Sequence, residues 1–156
     1  MSEGIKMRKF PYWFQGFIKT RCHLSQTNQT NLYRAMKTLE GRDKGLLERA
    51  FSIHFIDLSG MKALMFPVKD ELEDNFTHFV FVGNSVSEHV FLHEIAHALL
   101  GHRVNYRIRK TRDDRIRYVQ QELEAEGNAI FWQYGKQSKQ FEQFVKKNKI
   151  KSTSKT

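Results

Sequence analysis

The most constraining feature of this chain is a helix-length stretch, Val86 to Gly101, that is apolar around its whole circumference. One side of the helical wheel carries Val86, Val90 and Leu100. The opposite side is apolar throughout, with Phe91, Leu92, Ile95, Ala96, Ala98 and Leu99. A helix that is apolar on every side is a buried helix. Any fold of this chain must therefore enclose the segment.

Three ionisable residues, His93, Glu94 and His97, lie inside this apolar stretch. The two histidines share one helical face, one turn apart, where both imidazoles can reach a single metal ion. Glu94 lies beside that face, where it can take a proton from a metal-bound water instead of binding the metal. The pattern predicts a zinc hydrolase, most typically a peptidase, with Zn²⁺ or Mn²⁺ on the histidines and Glu94 as the catalytic base. The alternative is a pair of structural histidines.

A zinc site of this type needs a third protein ligand and an open position for water. The acidic residues Glu122, Glu124 and Glu126 lie in a segment of helical period, residues 118–134. Its apolar stripe consists of Val119, Leu123, Ile130 and Tyr134. Glu124 and Glu126 border this stripe and both remain possible ligands, whereas Glu122 is predicted to face solvent. His102 is predicted to be a surface residue just past the end of the helix that carries His93 and His97, called the metal helix below.

Two segments resemble the ImmA/IrrE metallopeptidases. One is Phe91–His102, which reads Phe-Leu-His-Glu-Ile-Ala-His-Ala-Leu-Leu-Gly-His, and the other is Glu124–Phe131, which reads Glu-Ala-Glu-Gly-Asn-Ala-Ile-Phe. The resemblance implies that Glu124, four residues before Asn128, is the third metal ligand. Glu126 then stays an alternative ligand, and Asn128 is expected to brace a ligand from outside. Gly127 stands where that family usually has alanine.

The same resemblance implies a function. ImmA/IrrE proteins are endopeptidases that typically cleave a helix-turn-helix transcriptional repressor, so the expected partner is a protein substrate of regulatory type. Some members act in toxin–antitoxin-like pairs, which gives an interaction role as a further expectation. Neither the substrate nor the role follows from the residues of this chain alone.

The order of predicted elements indicates an α+β fold with a small, mostly antiparallel sheet and a metal helix packed beside a second ligand-bearing helix, a zincin-like arrangement. Strands are predicted at residues 51–58, 63–68 and 77–82, with a hairpin turn at Ser59-Gly60. An extended substrate is expected to add to the sheet edge near Thr77 to Val82. We expect a single domain made of an N-terminal helical segment (1–50), a metallopeptidase core (51–145) and a basic flexible tail (146–156).

The net charge of +9 makes an anionic partner worth considering. Much of this charge lies in the connector between the two metal helices, where candidate partner-binding residues are Arg103, Arg107, Arg109, Lys110 and Arg112. They predict either a landing site for DNA or an acidic substrate protein, or a solvated linker. A landing site for DNA gives an alternative function: a DNA-binding or toxin–antitoxin-type module with a structural metal. The single cysteine, Cys22, fits a reducing compartment. With no apolar run of membrane-spanning length, a cytoplasmic location without membrane contact is expected.

Overall fold

The computed structural model describes residues 10–60, 62–70, 75–102 and 111–148. In chain order its elements are α1 (Tyr12–Arg21), β1 (Cys22–His23), α2 (Gln26–Arg42), α3 (Lys44–Ala50), β2 (His54–Asp57), β3 (Ala63–Asp70), β4 (Asn75–Val82), α4 (Glu88–Leu99), α5 (Arg112–Tyr134) and α6 (Lys139–Asn148). The predicted α+β class is confirmed, because helices pack on a small four-stranded sheet. None of the helices in these ranges is long and apolar enough to cross a bilayer.

The sheet has the strand order β1-β2-β4-β3. The short β1–β2 and β2–β4 pairs are parallel and the longest pair, β3–β4, is antiparallel, so the sheet that was expected to be mostly antiparallel is mixed. The cause lies at Ser59-Gly60, which is a turn with Gly60 at φ 82° but does not join paired strands. It carries the chain across the end of β4, which is inserted between β2 and β3.

This strand order changes which strand is free. The predicted substrate-binding edge, Thr77 to Val82, belongs to β4 and is an interior strand with neighbours on both sides. Among the described strands, β3 forms the free edge on the α4 side of the sheet, and α4 packs against it. The expected position of the edge was therefore wrong by one strand.

The core lies between the sheet and the helices. Phe55 of β2 meets Phe91 of α4 edge to face, with ring centroids 5.8 Å apart. Phe14 and Phe17 of α1 join the same buried cluster, which also contains Trp132 of α5. The N-terminal helices are therefore part of the core that encloses α4. Apolar packing of this kind is the main favourable contribution to folding.

Helix α5 packs on α4 through small side chains. Ala125 and Ala129 are fully buried, whereas Val119 and Tyr134 of the predicted apolar stripe are 40% and 65% exposed. The predicted stripe was therefore wrong: Ala125 and Ala129 lie on the same side of α5 as Glu122 and Glu126, whose carboxylates contact His93 of α4. The ends of α5 are well defined: Thr111 and Asp114 form a capping box at its start, and Gly135 ends it at φ 70°.

The predicted basic tail begins within α6, since this helix runs to Asn148. Residues 149–156 lie outside the described residues.

Candidate metal centre

His93 and His97 lie one turn apart on α4 and turn their Nε2 atoms toward each other, 3.1 Å apart. The carboxylate of Glu122, on α5, closes a triangle with them. Its Oε2 is 3.2 Å from His93 Nε2, and its Oε1 is 3.0 Å from His97 Nε2. Two imidazoles and one carboxylate thus converge from two packed helices.

This donor set fits a zinc ion. Ligands at about 2.0–2.1 Å in tetrahedral geometry lie about 3.3 Å from one another. The three separations observed here, 3.0 to 3.2 Å, are close to that value. Two histidines with one glutamate are also a donor set found in catalytic zinc sites. His93, His97 and Glu122 are therefore the residues that would hold the ion.

Glu124, the ligand that the resemblance implied, does not reach the two histidines. Its side chain is almost fully buried on another side of α5, where its Oε1 accepts a hydrogen bond from Gln120 Nε2 at 3.0 Å. Residues two apart on a helix point in nearly opposite directions, so Glu122 and Glu124 cannot both face α4. Because Ala125 and Ala129 set the contact face, Glu122 is the one that does. Both the assignment of Glu124 and the solvent-facing orientation of Glu122 are corrected.

Glu126, the alternative ligand, contacts the Nδ1 side of the His93 ring. Its Oε2 is 2.8 Å from His93 Nδ1, the nitrogen on the far side of the ring from Glu122. Its other oxygen contacts His89 Nε2, and His89 Nδ1 meets Gln133 Oε1 at 2.5 Å. A carboxylate on the distal nitrogen fixes the orientation of a metal-binding imidazole and raises its basicity. Glu126 is thus placed as a supporting residue.

His102 is buried, with only 6% exposure, so its prediction as a surface residue is wrong. Gly101 adopts φ 69° after α4 and turns the chain back. The main-chain N–H of His102 then donates to the carbonyl of His97 at 3.0 Å, and the two Nδ1 atoms are 2.9 Å apart. The glycine at position 101 is the sequence signal for this return, because a left-handed backbone conformation favours glycine.

Glu94 is buried next to this cluster. Its carboxylate lies within 4.8 Å of the donor atoms of both His93 and His97. Burial raises the pKa of Glu94 to about 7, although the charge on His93 and a hydrogen bond from the Met65 main-chain N–H act against the increase. A carboxyl group with such a pKa can exchange a proton near neutral pH.

A single proton dominates the electrostatics of the metal-free centre. Burial opposes the charged form of His93, but contacts with Glu122, Glu94 and Glu126 outweigh burial and raise its pKa to about 9. Burial lowers the pKa of His97, against the influence of Glu122. For Glu122 burial acts to raise the pKa, yet both imidazoles hold it well below its ordinary value. Protonated His93 and anionic Glu122 therefore hold the site together.

A cleft of about 440 Å³ opens onto His93 and Glu94. Its walls come from the start of β3, the β4–α4 connection and the first turns of α4; they include Lys62, Ala63, Ser85, Val86, Ser87, His89, Val90 and Glu126. The cleft has room for a few side chains of a substrate in front of Glu94.

One wall of the cleft is held by the buried Asn28 of α2. Its Nδ2 donates to Asp57 Oδ1 at 2.6 Å and to the carbonyl of Gly83 at 2.8 Å. Its Oδ1 accepts the main-chain N–H of Val86 at 2.9 Å, and Asn31 Nδ2 donates to the carbonyl of Val86 at 2.8 Å. The first residues of the β4–α4 connection are therefore fixed from a distant part of the sequence, which no local pattern revealed.

The structure places Asn128 and one residue of the basic connector, Arg112. Asn128 Nδ2 donates to the main-chain carbonyl of Glu124 at 2.9 Å, so its amide supports the helix main chain instead of bracing a ligand. Of the basic connector, Arg103, Arg107, Arg109 and Lys110 lie outside the described residues, and Arg112 is exposed in the first turn of α5.

Comparisons of the chain with protein-family models, with curated proteins and with solved structures found no match.

Proposed function

We propose that this protein is a zinc-dependent endopeptidase in which His93, His97 and Glu122 hold the ion and Glu94 is the catalytic base. The observation that carries the proposal is the convergence of two imidazole nitrogens and the carboxylate of Glu122, at 3.0 to 3.2 Å, beside a buried carboxyl group. Manganese is an alternative ion, because imidazole and carboxylate donors also suit it. A pair of structural histidines would need neither the third donor nor a carboxyl group with a pKa near neutrality.

The roles of the chain's own residues follow from their positions. A bound zinc ion lowers the pKa of a coordinated water toward about 7 and polarises a carbonyl group. Glu94 takes a proton from the attacking water and returns a proton to the leaving amine, which its pKa of about 7 permits near neutral pH. Glu126 keeps the ring of His93 oriented through Nδ1. The buried apolar surroundings strengthen each of these interactions.

The free edge of β3 supports a peptide substrate. The N–H of Met65 is bonded to Glu94, so it points away from β4, while the carbonyl of Lys62 accepts from Gly83 on the β4 side. In an antiparallel pair these directions alternate, so the main-chain groups of Ala63 and Met65 point away from β4, with the Met65 N–H already bonded to Glu94. The main chain of Pro67 also points away from β4, so the missing N–H of this proline removes no hydrogen bond between β3 and β4. An extended peptide can pair with this edge and pass in front of Glu94.

The substrate class rests on the resemblance in sequence. It favours a regulatory protein, with a helix-turn-helix transcriptional repressor as the first candidate. A protein chain as substrate agrees with the lining of the cleft by Lys62 and Ala63 at the start of β3, because a peptide paired with this strand would reach it.

Cleavage by zinc-loaded protein tests the proposal. The protein would be incubated with unfolded casein and with a library of peptides, and new termini would be mapped by mass spectrometry. We expect cleavage by the wild type, loss of at least about a hundredfold in Glu94→Gln, and full activity in Glu142→Gln, an exposed control. All three should bind one zinc ion. Equal cleavage by Glu94→Gln, or no cleavage by zinc-loaded wild type, would contradict the proposal.

A DNA-binding or toxin–antitoxin-type module remains the second candidate, on one observation. Arg112, Arg115 and Arg117 are exposed at the start of α5, where cations are unfavourable because of the helix dipole. Asp113 and Asp114 offset this cost in the same turn. If this surface binds DNA, association will weaken steeply with salt and will survive Glu94→Gln. Salt-independent binding, or none at low salt, would remove this candidate.

A further inference from the structure

Two further residues, His102 and Glu124, lie next to the metal centre, on the side of His97 away from Glu122. His97 presents Nε2 to Glu122 at 3.0 Å and Nδ1 to His102 Nδ1 at 2.9 Å. Both rings are buried, at 7% and 6% exposure. The His102 ring is thus held between His97 and α5.

The contact between two Nδ1 atoms requires one proton and one lone pair. If His97 carries the proton, its Nε2 has a free lone pair toward Glu122. If His102 carries it, neutral His97 must be protonated on Nε2, which blocks that nitrogen as a ligand. The arrangement of protons on His102 therefore decides whether His97 can bind a metal.

Glu124 selects between these two arrangements. Its Oε2 lies 3.7 Å from His102 Nε2, and its side chain is 1% exposed. His102 Nε2 is itself buried and has no hydrogen-bond partner among the described residues. A buried carboxylate at this distance attracts a proton to Nε2 of His102, because charges interact strongly away from water. The Nδ1 of His102 is then left as the acceptor.

We infer that His102 and Glu124 form a positioning pair that keeps the His97 proton on Nδ1 and its Nε2 free for the metal. The inference rests on the proposed function, since it needs His97 to be a ligand. It also gives Glu124 a role two residues away from the ligand Glu122, on a different side of α5. His97 is then held through a histidine, whereas His93 is held directly by the carboxylate of Glu126.

The proton can be located directly. In ¹⁵N-labelled zinc-loaded protein, a scalar coupling across the N–H···N bond between His97 Nδ1 and His102 Nδ1 is expected, with the proton on His97. A merely structural contact predicts no such coupling or a proton on His102. Because this measurement uses the wild-type protein, it does not depend on whether a variant folds.

Zinc affinity, measured by competition with a chelator, provides the second readout. We expect Glu124→Gln and His102→Leu to weaken binding by about 10–100-fold, as loss of an outer partner of a ligand does. His102→Asn, which keeps an acceptor, should recover part of this loss. Asn128→Ala, which alters the same stretch of α5 without touching His102, should bind as the wild type does.

The outcomes separate the two proposals. Wild-type protein that binds no zinc overturns the metal site and the proposed function. Wild type that binds zinc, together with unchanged affinity in Glu124→Gln and His102→Leu or with the proton located on His102, overturns the positioning pair alone. If His102→Leu does not fold, the zinc affinity of the near-isosteric Glu124→Gln and the scalar coupling measured in the wild type decide whether the positioning pair exists.

Discussion

At the scale of single residues, the surroundings of His93 predict how zinc binding depends on pH. Its pKa of about 9 in the metal-free protein lies above the ordinary value of 6.5, so His93 carries a proton through neutral pH. Zinc must displace this proton. Apparent affinity should therefore rise about tenfold per pH unit from about 7.5 to 9 and level off above, where His93 is already neutral.

Chelator competition at a series of pH values measures this dependence. Glu94 titrates near 7 and should add little above pH 8. An affinity that stays constant between pH 7.5 and 9 would show that His93 is neutral before the ion arrives, contrary to the contacts with Glu122 and Glu126.

A second residue-scale prediction concerns Asn28, a fully buried residue whose side chain makes three hydrogen bonds. Asn28→Ala should destabilise the fold by about 3 kcal/mol, because the N–H of Val86 and the carbonyl of Gly83 lose their partner. Asn31→Ala removes one half-buried bond and should cost about 1 kcal/mol. Urea unfolding of both variants measures how much each loses in free energy of unfolding. Similar losses in Asn28→Ala and Asn31→Ala would show that Asn28 does not hold the cleft wall.

The chemistry of single residues could be predicted only where it is local. The convergence of His93 and His97 follows from their spacing on one helix and needs no tertiary information. Glu122 could not be chosen over Glu124 in this way, because the choice depends on how α5 is rotated against α4. The burial of His102 was missed for the same reason: it depends on a chain reversal at Gly101.

At the scale of elements, the contact of α4 with α5 sets the metal centre. Ala125 and Ala129 are fully buried in the described structure. Ala129→Leu should force the helices apart, cost about 1–3 kcal/mol and weaken zinc binding, because Glu122 moves with α5. Val119→Leu, at a site that is 40% exposed on the same helix, is the matched control.

Urea unfolding and zinc affinity would be measured together for these two variants. Should Ala129→Leu bind zinc as tightly as Val119→Leu, the close approach of α4 and α5 would not be what positions Glu122.

Strand positions could be predicted from sequence better than strand order. The alternating and continuous apolar runs placed strands near the observed β2, β3 and β4. The insertion of β4 between β2 and β3 arises from long-range pairing, which a short turn such as Ser59-Gly60 does not reveal. The predicted apolar stripe of α5 is wrong because its large side chains give the stronger apolar pattern, whereas the small side chains of Ala125 and Ala129 are the buried ones.

At the scale of the whole molecule, the N-terminal helices complete the site instead of standing apart from it. Helix α1 supplies core side chains, and α2 fixes the β4–α4 connection through Asn28 and Asn31. Both the buried state of α4 and the shape of the cleft thus depend on the first third of the chain. The predicted enclosure of the apolar helix is confirmed for the side that carries Phe91, Leu92 and Ile95, whereas Val86 and Val90 are half-buried and line the cleft.

The amount of zinc bound per chain tests the central claim most directly. After loading and dialysis, elemental analysis should find one ion per wild-type chain and almost none in Glu122→Ala, while Glu142→Ala retains it. Glu122→Ala removes one of the three donors and leaves α5 intact, because Glu122 is half exposed and alanine favours a helix. A wild type without bound zinc, or a Glu122→Ala variant that retains one ion at unchanged affinity, would contradict the account.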